Sequence, residues 1–377
     1  MSSIFQRASE SRSPSGHYTI LAPGFAKWWG SDARALAQAL RRLGHSILDI
    51  DEEDYVPWRW QGAAAKVLRR LFGRVWIDDY NSAILKQASW SAYDFILVYK
   101  GNLLKPETLL RLREARKPVF NFYPDVSFQD HGSNIPACLR LYDCVFTTKS
   151  YHGDREKQTF GIRNLEHVRH GFDPEVHRPI PLSPEMARHY ECDVSFVGCW
   201  SPQKEEQILY LLRSSNGISV KVFGTGWKYS STEFKQRMGT NLRQGVFGDE
   251  LGIVYGASKV NLGLLSHSTS DPTLRDQITA RTFQVPATKS FMLHADTDEV
   301  RSLFREGEEV LLFRSNEDLV KQINAALKDG ALRSGISEKG YHRCIREPYD
   351  YSSAAQSILR YFERQTNAGH PQQGSRS

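Results

Sequence analysis

Cysteine is scarce in this chain. Cys138, Cys144, Cys192, Cys199 and Cys344 are the only five in 377 residues. The number is odd and no two stand as C-x-x-C, which argues against a disulfide scaffold or a clustered metal box and implies reduced, mostly buried thiols in a cytoplasmic protein. Long apolar runs are lacking too: no window approaches the roughly 20 residues that a membrane-spanning helix needs. Residues 1–15 are polar, without the apolar core of a signal peptide. Nor does charge run strongly to one sign. Lys and Arg total 49 against 43 Asp and Glu, a net +6. That surplus suits an anionic small molecule or weak contact with a membrane surface, and is too small to argue for nucleic acid. A third glycine at Rossmann spacing is missing after both Gly24 and the Gly224-Thr225-Gly226 run, which disfavours a dinucleotide dehydrogenase.

The length exceeds what one core usually fills, so two domains are expected. Apolar strand-like runs at 17–22, 46–50, 95–99, 119–122 and 144–147 alternate with helical stretches, the first N-capped by Ser31 and followed by Gly44. This is the pattern of a parallel sheet covered on both faces. Four prolines mark 174–186 as a break. The alternation then restarts, with strands at 194–197, 220–223, 260–265, 290–293 and 310–313. Helices lie between them at 205–212, 250–257, 278–286, 298–304 and 317–327, with Thr297 and Asn316 as N-caps. A last amphipathic helix runs from about 352 to 362, after Pro348. The expected division is a tail at 1–15, a domain at 16–173, a linker at 174–189, a domain at 190–347, a final helix at 348–365 and a tail at 366–377.

Two such domains place a cleft between the C-terminal edges of their sheets, where open α/β folds bind ligands. Gly198 ends one strand, and Gly224 and Gly226 follow the next. Glycine there admits a phosphate to the backbone, although an ordinary left-handed turn explains it equally well. Lys204 begins the helix after Gly198, and Arg281 lies in the helix at 278–286. Together they would neutralise a diphosphate leaving group, while each alone reads as a surface charge. Replacing Arg281 is therefore expected to harm activity more than folding. Asp125, Asp130, His131 and His152 follow strands of the first domain, and Asp130 with His131 would hold an acceptor hydroxyl or take its proton. The pairs Asp49/Asp51 and Asp296/Asp298 have the spacing of a cation site. They read better as a strand end and a helix first turn, so no metal is expected. Between 55 and 76 the chain gathers Trp58, Arg59, Trp60, Lys66, Arg69, Arg70 and Arg74, with Val67, Leu68, Leu71, Phe72, Val75 and Trp76 on one helical face. Such a helix either lies on an anionic bilayer or packs on its own domain with its charges solvated.

The string Arg275-Asp276-Gln277-Ile278-Thr279-Ala280-Arg281-Thr282-Phe283-Gln284-Val285-Pro286-Ala287 resembles the R-T-F-E-x-P-A segment of group 1 glycosyltransferases, in the branch named after the spore-maturation protein CgeB. Phe291-Met292-Leu293-His294, Thr297-Asp298-Glu299-Val300, the run from Leu303 to Glu309, and Gly340-Tyr341-His342-Arg343-Cys344 look similar to the same family, as do Arg169 to Pro174 and Asp193 to Gly198. The resemblance implies an α/β GT-B fold, two doubly wound Rossmann-like domains facing a cleft. It implies a last helix crossing back to the first domain, and a nucleotide-sugar donor held by the second domain without metal or other cofactor. The donor would lie among Gly198, Gly224, Gly226, Trp227, Asp276, Arg281 and Gln284, with the acceptor on the N-terminal side. Three motifs depart from the family. Its E-x7-E is Asp276 and Gln284 here, its Ala-Cys-Gly is Ala287-Thr288-Lys289, and its R-x4-K is Cys199 and Lys204.

The reading is a cytoplasmic, metal-independent glycosyltransferase acting on a glycan, lipid-linked or small-molecule acceptor, with peripheral contact to the inner membrane face as an option. A catalytically idle GT-B protein that binds a glycan or partner, and a sugar-nucleotide epimerase, remain as alternatives.

Overall fold

The computed structural model describes residues 16–57, 62–215, 217–271 and 273–368. The expected tail at 1–15, the cluster Trp58, Arg59 and Trp60, and residues 369–377 of the second expected tail lie outside the described residues.

The first half alternates as β1 (Thr19–Pro23), α1 (Asp32–Arg42), β2 (Ser46–Ile50), α2 (Ala63–Trp90), β3 (Phe95–Tyr99), α3 (Pro106–Arg113), β4 (Val119–Tyr123), α4 (Asn134–Leu139), β5 (Cys144–Thr147), α5 (Asp154–Phe160) and β6 (Leu165–His167). The sheet runs β2-β1-β3-β4-β5-β6 and every pairing is parallel. All five residues of β4 are buried, as a central strand covered on both faces requires. Ser31 caps α1 by accepting the N–H of Arg34, which fixes where the chain turns from sheet to helix.

The second half continues with α6 (Pro184–Tyr190), β7 (Cys192–Val197), α7 (Pro202–Ser214), β8 (Val220–Phe223), α8 (Thr232–Met238), β9 (Leu242–Arg243), α9 (Asp249–Ala257), β10 (Ser258–Gly263), α10 (Arg281–Ala287), β11 (Met292–Ala295), α11 (Asp298–Leu303), β12 (Leu311–Phe313), α12 (Asn316–Lys328), α13 (Gly330–Arg346) and α14 (Tyr351–Ala368). Its sheet, β12-β11-β10-β7-β8-β9, is again wholly parallel. Val194, Val222, Leu262 and Leu293 pack one face against Ile208, Leu319 and Ile323. Met292 and Leu312 pack with Val254, Phe283 and Val300 on the other. α14 returns to the first domain. Its Tyr351, Ile358, Leu359 and Phe362 share a core with Leu36 and Leu40 of α1 and with Phe95, Phe120 and Phe146 of the first sheet.

Several expectations shift. β6 and β9 are short edge strands with no clear apolar pattern. The linker expected at 174–189 ends in α6, where Ser183 caps and Pro184 takes the first helical position; proline there starts a helix rather than breaking one. Ser315, not Asn316, caps α12 through the N–H of Asp318. α14 extends to Ala368, so residues 366–368 are helix rather than tail. No described helix is long and apolar enough to cross a membrane.

Candidate functional site

In both sheets the chain steps to opposite sides of its first strand. The switch point lies between β1 and β3 in the first domain and between β7 and β10 in the second. Loops leaving these strands form a cleft of about 620 Å³ between the domains.

The second-domain wall is built around Arg281. Its Nε donates to the Val197 carbonyl at 2.7 Å and its Nη1 to the Leu264 carbonyl at 2.8 Å, bracketing the ends of β7 and β10. The guanidinium lies 4.7 Å over the Phe196 ring. A Cβ on Gly198 would overlap the guanidinium, so glycine is needed there to admit an arginine. Arg281 is thus a structural bracket as well as a cleft-lining cation, which corrects the view of it as a solvated charge whose loss the fold would not feel. Lys204 is buried beside it, donating from Nζ to Ser266 Oγ at 2.7 Å and to the Cys199 carbonyl at 3.2 Å. Burial, and then the charge of Arg281, lower its pKa to about 8. Asp276 also lines the cleft but is not free: its Oδ1 meets Lys149 Nζ of the first domain at 2.5 Å, and both side chains are buried. Gln284 reaches across the cleft, its Nε2 3.5 Å from Asp32 Oδ1.

Five expected site residues stand apart from the cleft lining. Gly224 lies against the Gly198 carbonyl, where any Cβ would clash. Gly226 has φ 81° and caps a short turn. Trp227 is buried, stacks on Phe234 and donates from Nε1 to the Gly198 carbonyl at 2.9 Å. These three shape the strand ends from behind. Asp130 accepts from Ser268 Oγ, Thr269 Oγ1 and the Ser270 N–H at 3.2, 3.0 and 3.1 Å, clasping the two domains. Burial would raise its pKa, but the bonds from Ser270, Ser268 and Thr269 outweigh it and hold the carboxyl below its usual range, the opposite of what a base needs. The His131 side chain is 39% exposed, with Nε2 3.2 Å from Asp125; partial burial of the ring pulls its pKa down. His152 is a core residue between Thr147 Oγ1 and the Val126 carbonyl, its pKa lowered by burial to about 4. Asp49 pairs with Arg41, Asp51 caps the turn at Glu52–Asp54, and Asp296 pairs with Arg301 and Arg314. Among the described residues no group of three or more His, Cys, Asp or Glu is arranged to hold a metal.

The first-domain wall brings in residues that the sequence did not single out: Asp32, Glu52, Lys100 and Lys149. Burial raises Asp32 to about 6 and Glu52 to about 7. Lys100 pairs with Asp125 at 2.7 Å. Lys149 sits beside His170, whose pKa falls well below normal through burial and then that lysine's charge. Sequence held a usable signal for two of them. Asp32 and Lys100 follow β1 and β3, the strands that flank the switch point.

Residues 203–360 match a family model described as glycosyl transferase-like. No curated protein sequence matches the chain. Among solved structures, the chain is similar to sucrose-phosphate synthase from Thermosynechococcus elongatus, at TM-score 0.62 and 14% identity over 94% of this chain and 100% of that one. It is also similar to Anabaena HepE solved with UDP and glucose (0.60, 13%, 92% and 100%), and to a glycosyltransferase from Rickettsia africae (0.60, 12%, 92% and 98%). The chain therefore has the two-domain GT-B fold of these structures, and its second half matches the glycosyl transferase-like family.

Proposed function

We propose that the chain transfers a sugar from a nucleoside diphosphate sugar to a hydroxyl of a glycan, lipid-linked or small-molecule acceptor, as a member of the CgeB-like branch. The observation that carries this reading is the pairing of Arg281 and Lys204 on one wall of the cleft. The glycosyl transferase-like match takes in both residues, and the similar Anabaena protein was solved with UDP and with UDP-glucose.

In the transfer, the bond from the anomeric carbon to the diphosphate oxygen breaks, a bond to the acceptor oxygen forms, and the acceptor hydroxyl loses its proton. Arg281 and Lys204 meet the charge that develops on the diphosphate, so no metal is required for that step. Gln284, and Asp276 from within its ion pair with Lys149, hold donor hydroxyls. On the opposite wall Asp32 and Glu52 have proton affinities near neutrality, suited to receiving the acceptor proton.

Calorimetry with UDP and GDP in the presence of a chelator, followed by a nucleotide-sugar and acceptor panel, tests this. Nucleotide should bind without magnesium or manganese, and a donor should release nucleotide slowly even without acceptor. Asp32→Asn should bind nucleotide as the parent does and lose roughly 100-fold or more in turnover. Binding that needs the metal overturns the metal-free step, and no binding at all overturns the reading. A binding-only protein is the second reading, favoured by the ion pair that engages Asp276 and by Gln284 in place of a carboxylate. Nucleotide binding with no turnover across the panel would select it.

A further inference from the structure

α2 carries apolar side chains on two faces. Its second half is anchored: Trp76, Ile77, Tyr80 and Ile84 turn onto the core beneath the first sheet. In its first half Val67, Leu71 and Val75 follow one another a turn apart with Phe72 alongside, and they are 55, 65, 53 and 46% exposed. At about 100° per residue these four form one stripe pointing away from the anchored face. Lys66, Arg70 and Arg74, also a turn apart, run along one edge of that stripe, and Arg69 lies toward the other. Residues 62–77 contain these four cations and no Asp or Glu. The next carboxylate, Asp78, is paired with Lys105.

We propose that the first half of α2 is a docking surface for an anionic phospholipid membrane. The helix lies in the plane of the interface, with Val67, Leu71, Phe72 and Val75 at the acyl boundary and the cations among the phosphates. Charge chooses this occupant. A second copy set face to face would crowd two sets of four cations around a narrow apolar seam, whereas an anionic bilayer supplies both an apolar layer and the opposite charge. The second half of α2 stays packed, so the docked helix remains part of the first domain. In sequence it follows closely on Glu52, which lines the cleft.

Flotation of the full chain with phosphatidylcholine vesicles, with and without phosphatidylglycerol, tests this. The protein should float with the anionic vesicles at low salt, stay behind with phosphatidylcholine alone, and detach as salt screens the attraction. Each charge removed in Arg70→Gln and Arg74→Gln should lower partitioning about fivefold. Leu71→Glu combined with Val75→Glu should abolish flotation and leave nucleotide binding and melting temperature unchanged, because both side chains face solvent. Failure to float at low salt overturns the proposal, as does flotation of the Leu71→Glu, Val75→Glu variant at the parent's level. A dimer that the same variant dissociates, without any vesicle binding, would assign the stripe to self-association instead.

Discussion

Arg281 shows how one side chain serves fold and site together. Two of its nitrogens bond the carbonyls of Val197 and Leu264, and the rest of the guanidinium borders the cleft. Arg281→Ala leaves two strand-end carbonyls without that partner, a cost of about 1–3 kcal/mol, and removes a cation from the proposed donor wall. Chemical denaturation should find lower stability, and calorimetry at least roughly tenfold weaker nucleotide binding; Arg281→Lys should recover only part of each, since it lacks the planar fork. A variant that binds nucleotide like the parent would remove Arg281 from the donor site. Lys204 yields a pH signature. Its empty-state pKa of about 8 lies below the usual 10.5 because burial and Arg281 disfavour the ammonium form. A diphosphate favours that form, so it raises the pKa on binding. Affinity should then be flat below pH 8 and fall as pH rises through it, with proton uptake visible as a buffer-dependent heat, and Lys204→Met should lose both effects. Lys204 and Arg281 were legible in the sequence because each follows a strand near the switch point. The clasp at Asp130 was not, since its partners Ser268 to Ser270 lie 138 to 140 residues away and no local pattern encodes such a pairing.

Elements were legible in proportion to how completely they are buried. The inner strands are apolar runs bounded by turns, so their existence follows from composition, and the shift of the expected 290–293 strand to β11 at Met292–Ala295 is a boundary effect. β9 is only two residues long, and α6 hides behind a proline that marks its first turn. α14 was legible as an amphipathic helix, but its destination came from family resemblance, because periodicity says which face is buried and not against what. That destination has an energetic consequence. Ile358 and Leu359 are fully buried in the core they share with α1 and the first sheet. Leu359→Ala should therefore destabilise the first domain by about 2–5 kcal/mol, although residue 359 is contiguous in sequence with the second. Hydrogen exchange should show the loss in β3, β4 and α1 rather than in β7 and β10. A loss confined to the second sheet would contradict this packing.

At the scale of the whole molecule the domains are drawn together by polar contacts around the cleft. Lys149 pairs with Asp276, Arg155 with Asp271 at 2.7 Å, and Ser150 Oγ donates to Glu299 at 2.8 Å. Trp28 meets Phe247 edge-on, with ring centroids 4.6 Å apart. Asp130 adds a clasp onto the segment at 268–270, which lies between β10 and Asp276. In the proposed transfer the donor is held by the second-domain wall and the proton acceptors stand on the first, so turnover, rather than nucleotide binding, would depend on closure, and the clasp would set part of the balance between closed and open forms. Asp130→Ala removes bonds to a charged acceptor, each worth about 1.5–3 kcal/mol when buried and less at this partly exposed site. A net change of about 2 kcal/mol would shift the closed-to-open ratio roughly thirtyfold. Small-angle scattering should then report a larger radius of gyration. Nucleotide affinity should change little, because Lys204 and Arg281 belong to one domain, while turnover, which needs both walls, should fall. The melting of each domain should hold, since Asp130 supports neither core. If the variant scatters as compactly as the parent and turns over as fast, the clasp has no part in closure, and the contacts at Lys149 and Asp276 are sufficient to hold the cleft.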